Sequence, residues 1–220
     1  QDGIPLNDTG NYAIYSNQQL DPELIERATV NLGTTDVDSP TASATGGTVN
    51  YVTRRTRDDF GITVQASGGE EDYKRAFLML DTGAFGPWGT EAWFAYSDTE
   101  YDHFKDPGGV NKTQYNGRLY QRLNDNGDFI SLTGHYNRNR NSFTRRVTLA
   151  QFEAGTAFDQ ANSLASSYTG INPSNTGNLR GSSRFTLSDT LTLTVDPSFQ
   201  YVLANGGGTS NWRETDPQLI

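Results

Sequence analysis

The chain has 220 residues, no cysteine and a formal net charge of -9. That balance excludes a nucleic-acid footprint, and the lack of cysteine excludes disulfides and thiolate metal sites. No apolar run approaches the roughly 20 residues of a membrane-spanning helix, but strand-built membrane proteins stay open, because only alternate residues of their strands face lipid.

Asp2-Gly3 opens with a turn signal, and Asn7-Asp8-Thr9-Gly10-Asn11 is loop chemistry, since these residues tolerate tight or left-handed backbone. Asp21 as N-cap, Pro22 at the first helical position and Glu23 in the first turn predict a helix of at most two turns. Ala28 to Leu32 alternates as a strand that Gly33 ends. The stretch Thr35 to Thr53 carries the pair Gly46-Gly47, followed by Val49, Tyr51 and Val52. Two glycines open a backbone path closed to other residues, and the β-branched run behind them predicts a strand starting at that bend. Here the chain is expected to pass from one domain to the next.

From Phe60 onward one design repeats, with apolar residues at alternate positions. Phe60, Ile62, Val64 and Ala66 share a face, as do Ala76, Leu78, Leu80 and Ala84 in the next strand. Gly86-Pro87-Trp88-Gly89 turns the chain into Ala92, Phe94 and Tyr96. A loop from Asp102 to Lys112 leads to Tyr115, Gly117, Leu119 and Leu123. Asn124-Asp125-Asn126-Gly127 turns into Ile130, Leu132, Gly134 and Tyr136. An irregular stretch from about Arg140 to Asn178 precedes Leu179, Ser183, Phe185 and Leu187. The last strand runs from Leu191 to Leu203, with Pro197 inside it marking a bulge or irregularity. Seven strands are predicted, antiparallel, with connections that alternate short and long after the first, Gly68 to Asp72, which is short although by alternation it belongs with the long set. Strands of roughly 9 to 13 residues match a tilted membrane crossing, so a transmembrane β-barrel is expected ahead of a β-sandwich. The pattern starts and stops midway, so the chain is expected to be a piece of a larger protein.

Three segments carry a resemblance: Asp2-Gly3-Ile4-Pro5, Leu24-Ile25-Glu26-Arg27-Ala28-Thr29-Val30, and Ala44-Thr45-Gly46-Gly47-Thr48-Val49-Asn50-Tyr51-Val52-Thr53. In order and spacing they resemble the second half of the plug domain of TonB-dependent outer-membrane receptors. The resemblance covers the whole chain. It implies the C-terminal part of a plug at 1–57 and the first seven or so strands of a 22-stranded barrel at 58–220. The family's Arg-Gly-Pro and Tyr-Gly between the plug motifs are missing from Gly33 to Pro40. By resemblance the function is TonB-energised uptake of a scarce nutrient across the bacterial outer membrane, with a ferric siderophore as default and an oligosaccharide or other small nutrient as alternative. The partners implied are TonB, through a segment outside this chain, the nutrient, and outer-membrane lipid. No enzyme activity and no cofactor are implied. The rival from another class is a secreted β-sandwich that binds or cleaves carbohydrate.

The candidate site follows from the same resemblance. Plug loops facing outward match Asn7 to Asn17, with Asn11, Tyr12, Tyr15 and Asn17, and Thr34, Thr35 and Asp36. Aromatic faces beside amides suit a ligand that is part apolar and part hydrogen-bonding. Glu26 and Arg27 are the expected plug–barrel contact, with Arg27 pairing with barrel acids. Arg118, Arg122, Arg180, Arg184 and Tyr120 fall on the polar face, either to steer an anionic ligand or to meet plug acids. His103 and His135 have no acidic or cysteine partner at ligand spacing, so no metal site is expected.

Overall fold

The computed structural model describes residues 1–7, 19–33, 46–104, 108–142, 148–155 and 171–204. It is mainly β and antiparallel throughout. A two-stranded sheet of β1 (Ile25–Leu32) and β2 (Gly47–Thr53) belongs to the N-terminal segment. The second sheet has eight strands: β3 (Phe60–Gly68), β4 (Lys74–Phe85), β5 (Thr90–Asp102), β6 (Gly109–Arg122), β7 (Phe129–Asn141), β8 (Ser174–Ser188), β9 (Leu191–Thr194) and β10 (Ser198–Ala204). Its spatial order is β10-β8-β7-β6-β5-β4-β3, with β9 also paired to β8. Each strand from β3 to β8 therefore lies beside its sequence neighbour, as an up-and-down meander requires.

The predicted helix at Asp21 is one 3-10 turn, Pro22–Leu24, and the chain is already extended at Ile25. Asp21 does not cap it. Its carboxylate accepts from the Ser97 hydroxyl instead, and the β-branched residues Ile25, Thr29 and Val30 favour extension. The bend before β2 is real: Gly47 sits at φ 107°, and the Asn31 carbonyl fills the place of a Cβ.

The predicted last strand is broken at Asp196-Pro197 into β9 and β10, both laid against β8. The break is stitched rather than loose. Gly181 N–H donates to the Pro197 carbonyl at 2.8 Å, and Ser183 N–H donates to Asp196 Oδ1 at 2.9 Å. The stretch expected to be irregular up to Asn178 is shorter, because β8 begins at Ser174. Ser174 to Asn178 carries Ser, Thr and Asn on one face and Asn175 and Gly177 on the other, so it lacks the apolar alternation that marks the other strands. A short helix, α1 (Leu149–Glu153), lies in the β7–β8 connection, closed by a capping box of Thr148 and Gln151.

Cross-strand register sets the two faces. Ile62, Leu80, Phe94, Gly117, Gly134, Leu179 and Phe199 lie opposite one another in one row. Every large side chain of that row is exposed. Tyr201 joins this face through its register with Gly177, whereas on β9 both the Leu191 and Leu193 side and the Thr192 and Thr194 side are exposed. The opposite face is buried and mostly polar: Ser97, Gln114, Asn116, Ser131, Thr133, His135, Asn137, Asn139, Ser174, Thr176 and Arg180. The polarity of a water-soluble sheet is reversed here. An apolar cluster on the buried face joins Phe77, Met79, Trp93 and Ala95 of β4 and β5 to Leu20 and Leu24 of the N-terminal segment.

Candidate functional site

The N-terminal segment seats on the polar face, and charged side chains fasten it there. Arg75 projects from β4 and clamps Glu23 with two nitrogens, at 2.7 and 2.8 Å. It also lies 3.3 Å from Asp21 and covers the Phe77 ring at 5.2 Å. Burial alone would raise the Glu23 carboxyl, but the Arg75 bonds outweigh it and hold the carboxyl below its usual range. Two parallel N–H···O bonds to one carboxylate fix angle as well as distance.

A second clamp sits where the segment leaves for β3. Arg54 reaches Asp81 at 2.7 Å, with the carboxylate almost fully buried. The Arg54 carbonyl accepts from the Trp93 indole and from Arg118, both at 3.3 Å. Asp81 is the lone acid of an otherwise apolar stretch of β4, and Arg54 supplies the partner that a buried carboxylate needs.

The third attachment is to β8. Arg180 donates to Asp2 and, at 3.1 Å, to the Gln1 carbonyl, while Asp2 also accepts from the Thr53 hydroxyl and amide. On β6, Lys112 and Gln114 both donate to the Gln19 carbonyl, at 3.2 and 2.7 Å.

The expected contact residues are placed differently. Glu26 stands on β1, and its ion pair is with Arg55, 3.4 Å away and 81 % exposed. A solvated pair within the same segment contributes little. Arg27 is exposed and, among the described residues, forms no ion pair. Among the described residues, arginine-to-acid contact between segment and sheet is made by Arg54, Arg75 and Arg180. Of the arginines assigned to the polar face, Arg180 and Arg118 meet the segment, Arg122 is exposed, and Arg184 donates to the Asn126 carbonyl in a turn. Asn11, Tyr12, Tyr15, Asn17, Thr34, Thr35 and Asp36 lie outside the described residues.

No family model, curated protein or solved structure matches the chain.

The contacts that sequence reasoning missed join residues far apart in the chain. Asp81 stood out as a solitary acid among Leu78, Met79 and Leu80, which was the available signal for a buried partner. His135 lies on the polar wall, where its Nδ1–H donates to Asn116 Oδ1 at 2.6 Å. Among the described residues no cluster of three His, Cys, Asp or Glu could hold a metal.

Proposed function

We propose that this chain is part of a TonB-dependent outer-membrane receptor, with a plug segment seated against the inner wall of the first strands of a 22-stranded barrel. It takes up a scarce small nutrient under energy from TonB. The observation that carries the reading is the inverted sheet: apolar side chains outward, polar side chains buried. Water gives no reason to expose Ile62, Val64, Leu80, Phe94, Leu132 and Phe199 together, and lipid does.

Further features support the reading. Tyr96, Tyr115 and Tyr136 lie side by side in one cross-strand row, with ring centroids 5.3 and 6.5 Å apart. Tyr201 continues the row beyond Gly177. The next outward row toward the loops is Asp98, Thr113, Arg138 and Asn175. A tyrosine girdle with charge beyond it fits a membrane–water boundary. From Tyr201 back to Leu191, ten residues at about 3.3 Å each and a tilt of about 40° give a belt of about 25 Å, the height of a barrel's lipid band. Connections 69–73, 103–108 and 142–173 join strands at one end of the sheet and 86–89, 123–128 and 189–190 at the other, and the one long connection, 142–173, belongs to the first set, as a long loop outside and turns in the periplasm would. Among the described residues, β3 and β10 each keep an unpaired edge. A long exposed edge invites wrong pairing, and continuation into a closed barrel removes it.

A soluble β-sandwich would need a second sheet over the apolar face, and among the described residues nothing covers it. The deciding experiment is fractionation of the full-length protein expressed in a bacterium. Recovery in the outer membrane, with faster gel migration when unheated, is expected. Recovery in the soluble fraction without detergent would end the receptor reading.

A further inference from the structure

Resting on that reading, in which the N-terminal segment must give way before a solute can pass, we propose that Asp196 is a second partner held in reserve for Arg180. When the segment withdraws, Arg180 turns from Asp2 to Asp196, and the wall keeps its charge paired. Arg180 is 4 % exposed, and the acid it meets, Asp2, belongs to the segment. Movement of the segment therefore strands a buried guanidinium unless the wall has an acid of its own, and removing one partner of a buried ion pair is strongly destabilising. The wall has one. Inward positions of β6 to β8 carry the cations Lys112, Arg118, Arg122, Arg180 and Arg184. Against these, among the described residues, the inner side of β6 to β10 carries a single carboxylate, Asp196.

Register places the two groups within reach. Arg180 lies opposite Ser198 and Arg184 opposite Thr194, so Ser182 faces Asp196 across the break between β9 and β10. Arg180 and Asp196 are then diagonal neighbours on one face, about 7–8 Å apart, a span that a long side chain covers. Pro197 has no N–H, so the ladder cannot close around it in the ordinary way. Side chains close it instead. Ser183 N–H donates to Asp196 Oδ1 at 2.9 Å, and the Ser183 hydroxyl donates to the Val195 carbonyl and accepts from the Val195 amide. The first of these bonds fixes the Asp196 carboxylate at the seam and uses one oxygen, while a carboxylate has acceptor sites on both. Both Arg180 bonds to the segment leave from Nη1, and Nε and Nη2 have no partner among the described residues. A turn of the side chain brings them to Asp196 without disturbing the seam. Arg184, the other diagonal neighbour of Asp196, donates to the Asn126 carbonyl.

The test follows hydrogen exchange of the Thr53 amide, which is bonded to the Asp2 carboxylate, in the full-length protein in detergent. Asp196→Asn keeps an acceptor for the Ser183 N–H and removes the charge that awaits Arg180. The opened state loses its ion pair while the seated state loses nothing, so the Thr53 amide should exchange about fivefold more slowly. Loss of a merely structural support would have the opposite sign. In an Arg180→Met background, Asp196→Asn should leave the Thr53 amide unchanged, since no guanidinium is there to turn. Unchanged or faster Thr53 exchange in the Asp196→Asn protein would overturn the handover. Slowing that persists without Arg180 would overturn it too, by showing a bare charge effect on Asp2. A crystal structure of Asp2→Ala gives a direct check: Arg180 is expected to meet the Asp196 carboxylate, and a structure in which it does not would also overturn the handover. Fractionation of the unsubstituted protein separates the two failures. Its recovery outside the outer membrane refutes the receptor reading, and its recovery there with the wrong exchange in the variants refutes this inference alone.

Discussion

Arg75→Met should release the N-terminal segment while leaving the sheet intact. Methionine keeps most of the stem volume, so the loss is mainly of charge and hydrogen bonds. Arg75 gives two bonds to Glu23 and lies near Asp21, and the side chains are 12 %, 22 % and 7 % exposed respectively. Removing one partner of a fully buried pair costs about 3–5 kcal/mol. Glu23 retains some contact with water and Asp21 keeps the Ser97 donor, so about 2–3 kcal/mol is expected. At 1.4 kcal/mol for each factor of ten, that is about 30- to 150-fold faster amide exchange. The reporters are the Leu24 amide, bonded to the Asp21 carbonyl, and the Arg54 amide, bonded to the Leu24 carbonyl, followed in the full-length protein in detergent. Ladder amides of β5, β6 and β7 should keep their protection. Glu23 has a depressed carboxyl in the folded state, so its contribution is present above the unfolded pKa and lost as pH falls through the folded one. Wild type and variant should therefore converge as acid protonates Glu23. Unchanged exchange at Leu24 would refute the clamp. Equal loosening in β5 to β7 would show that Arg75 supports the sheet rather than the segment.

Phe94→Arg, in the apolar belt, should cost about 2–4 kcal/mol of insertion and lower the amount of protein in the outer membrane. Asn116→Gln, on the opposite face one strand away, should leave that amount unchanged. Gly181→Ala would bring a Cβ to 2.9 Å from Pro197 Cγ and 3.0 Å from Cδ. The ring must shift, and about 1–3 kcal/mol of stability is expected to go with it, read as an earlier unfolding midpoint and lost protection at the β8–β10 seam. Asp128 accepts from the Asn124 side chain and from the Thr186 amide and hydroxyl, which hold its carboxyl below its usual range. The turn it ties to β8 should therefore loosen as pH falls through that depressed value, seen as faster Thr186 exchange, and Asp128→Asn should flatten the dependence.

The strands and their facing were legible because a strand's side-chain period is two, and each alternation names its own apolar face. Phe199 and Tyr201 fall where that rule sends them, opposite Leu179 and Gly177. Pro197 was legible too, since proline cannot hold a place in a continuous ladder. The start of β8 was not, because Ser174 to Asn178 offers no apolar alternation. The helix at Asp21 was misread because its capping signal, Asp-Pro-Glu, has a second use: both carboxylates reach β4 and bind Arg75. That use spans residues 21 and 75, and no local pattern encodes it. Arg27 drew attention from its neighbours in sequence, whereas partners such as Asp81 for Arg54 are chosen by register. Residues 8–18 and 34–45, where the expected ligand loops lie, fall outside the described residues.

Period two says that a strand has two faces but not which face meets water. The buried face decides it here. A soluble sheet would bury Ile62, Leu80, Phe94 and Leu132 and expose Asn116, Asn137 and Asn139, and this one does the reverse. A polar face can be buried only if something supplies its hydrogen bonds and countercharges. The N-terminal segment does so at Asp81, Arg75, Arg118 and Arg180, and it covers the apolar patch of Phe77, Met79 and Trp93 with Leu20 and Leu24. Without the segment, β4 and β5 would expose that apolar patch and leave Asp81 without its Arg54 partner. Segment and wall are thus one folding problem on the β4–β5 side. On the β6–β8 side the described part of the segment answers with backbone carbonyls, that of Gln19 to Lys112 and Gln114 and that of Gln1 to Arg180, and with the Asp2 carboxylate to Arg180, so β6 and β8 bind the segment mainly through its main chain where β4 and β5 bind it through side chains.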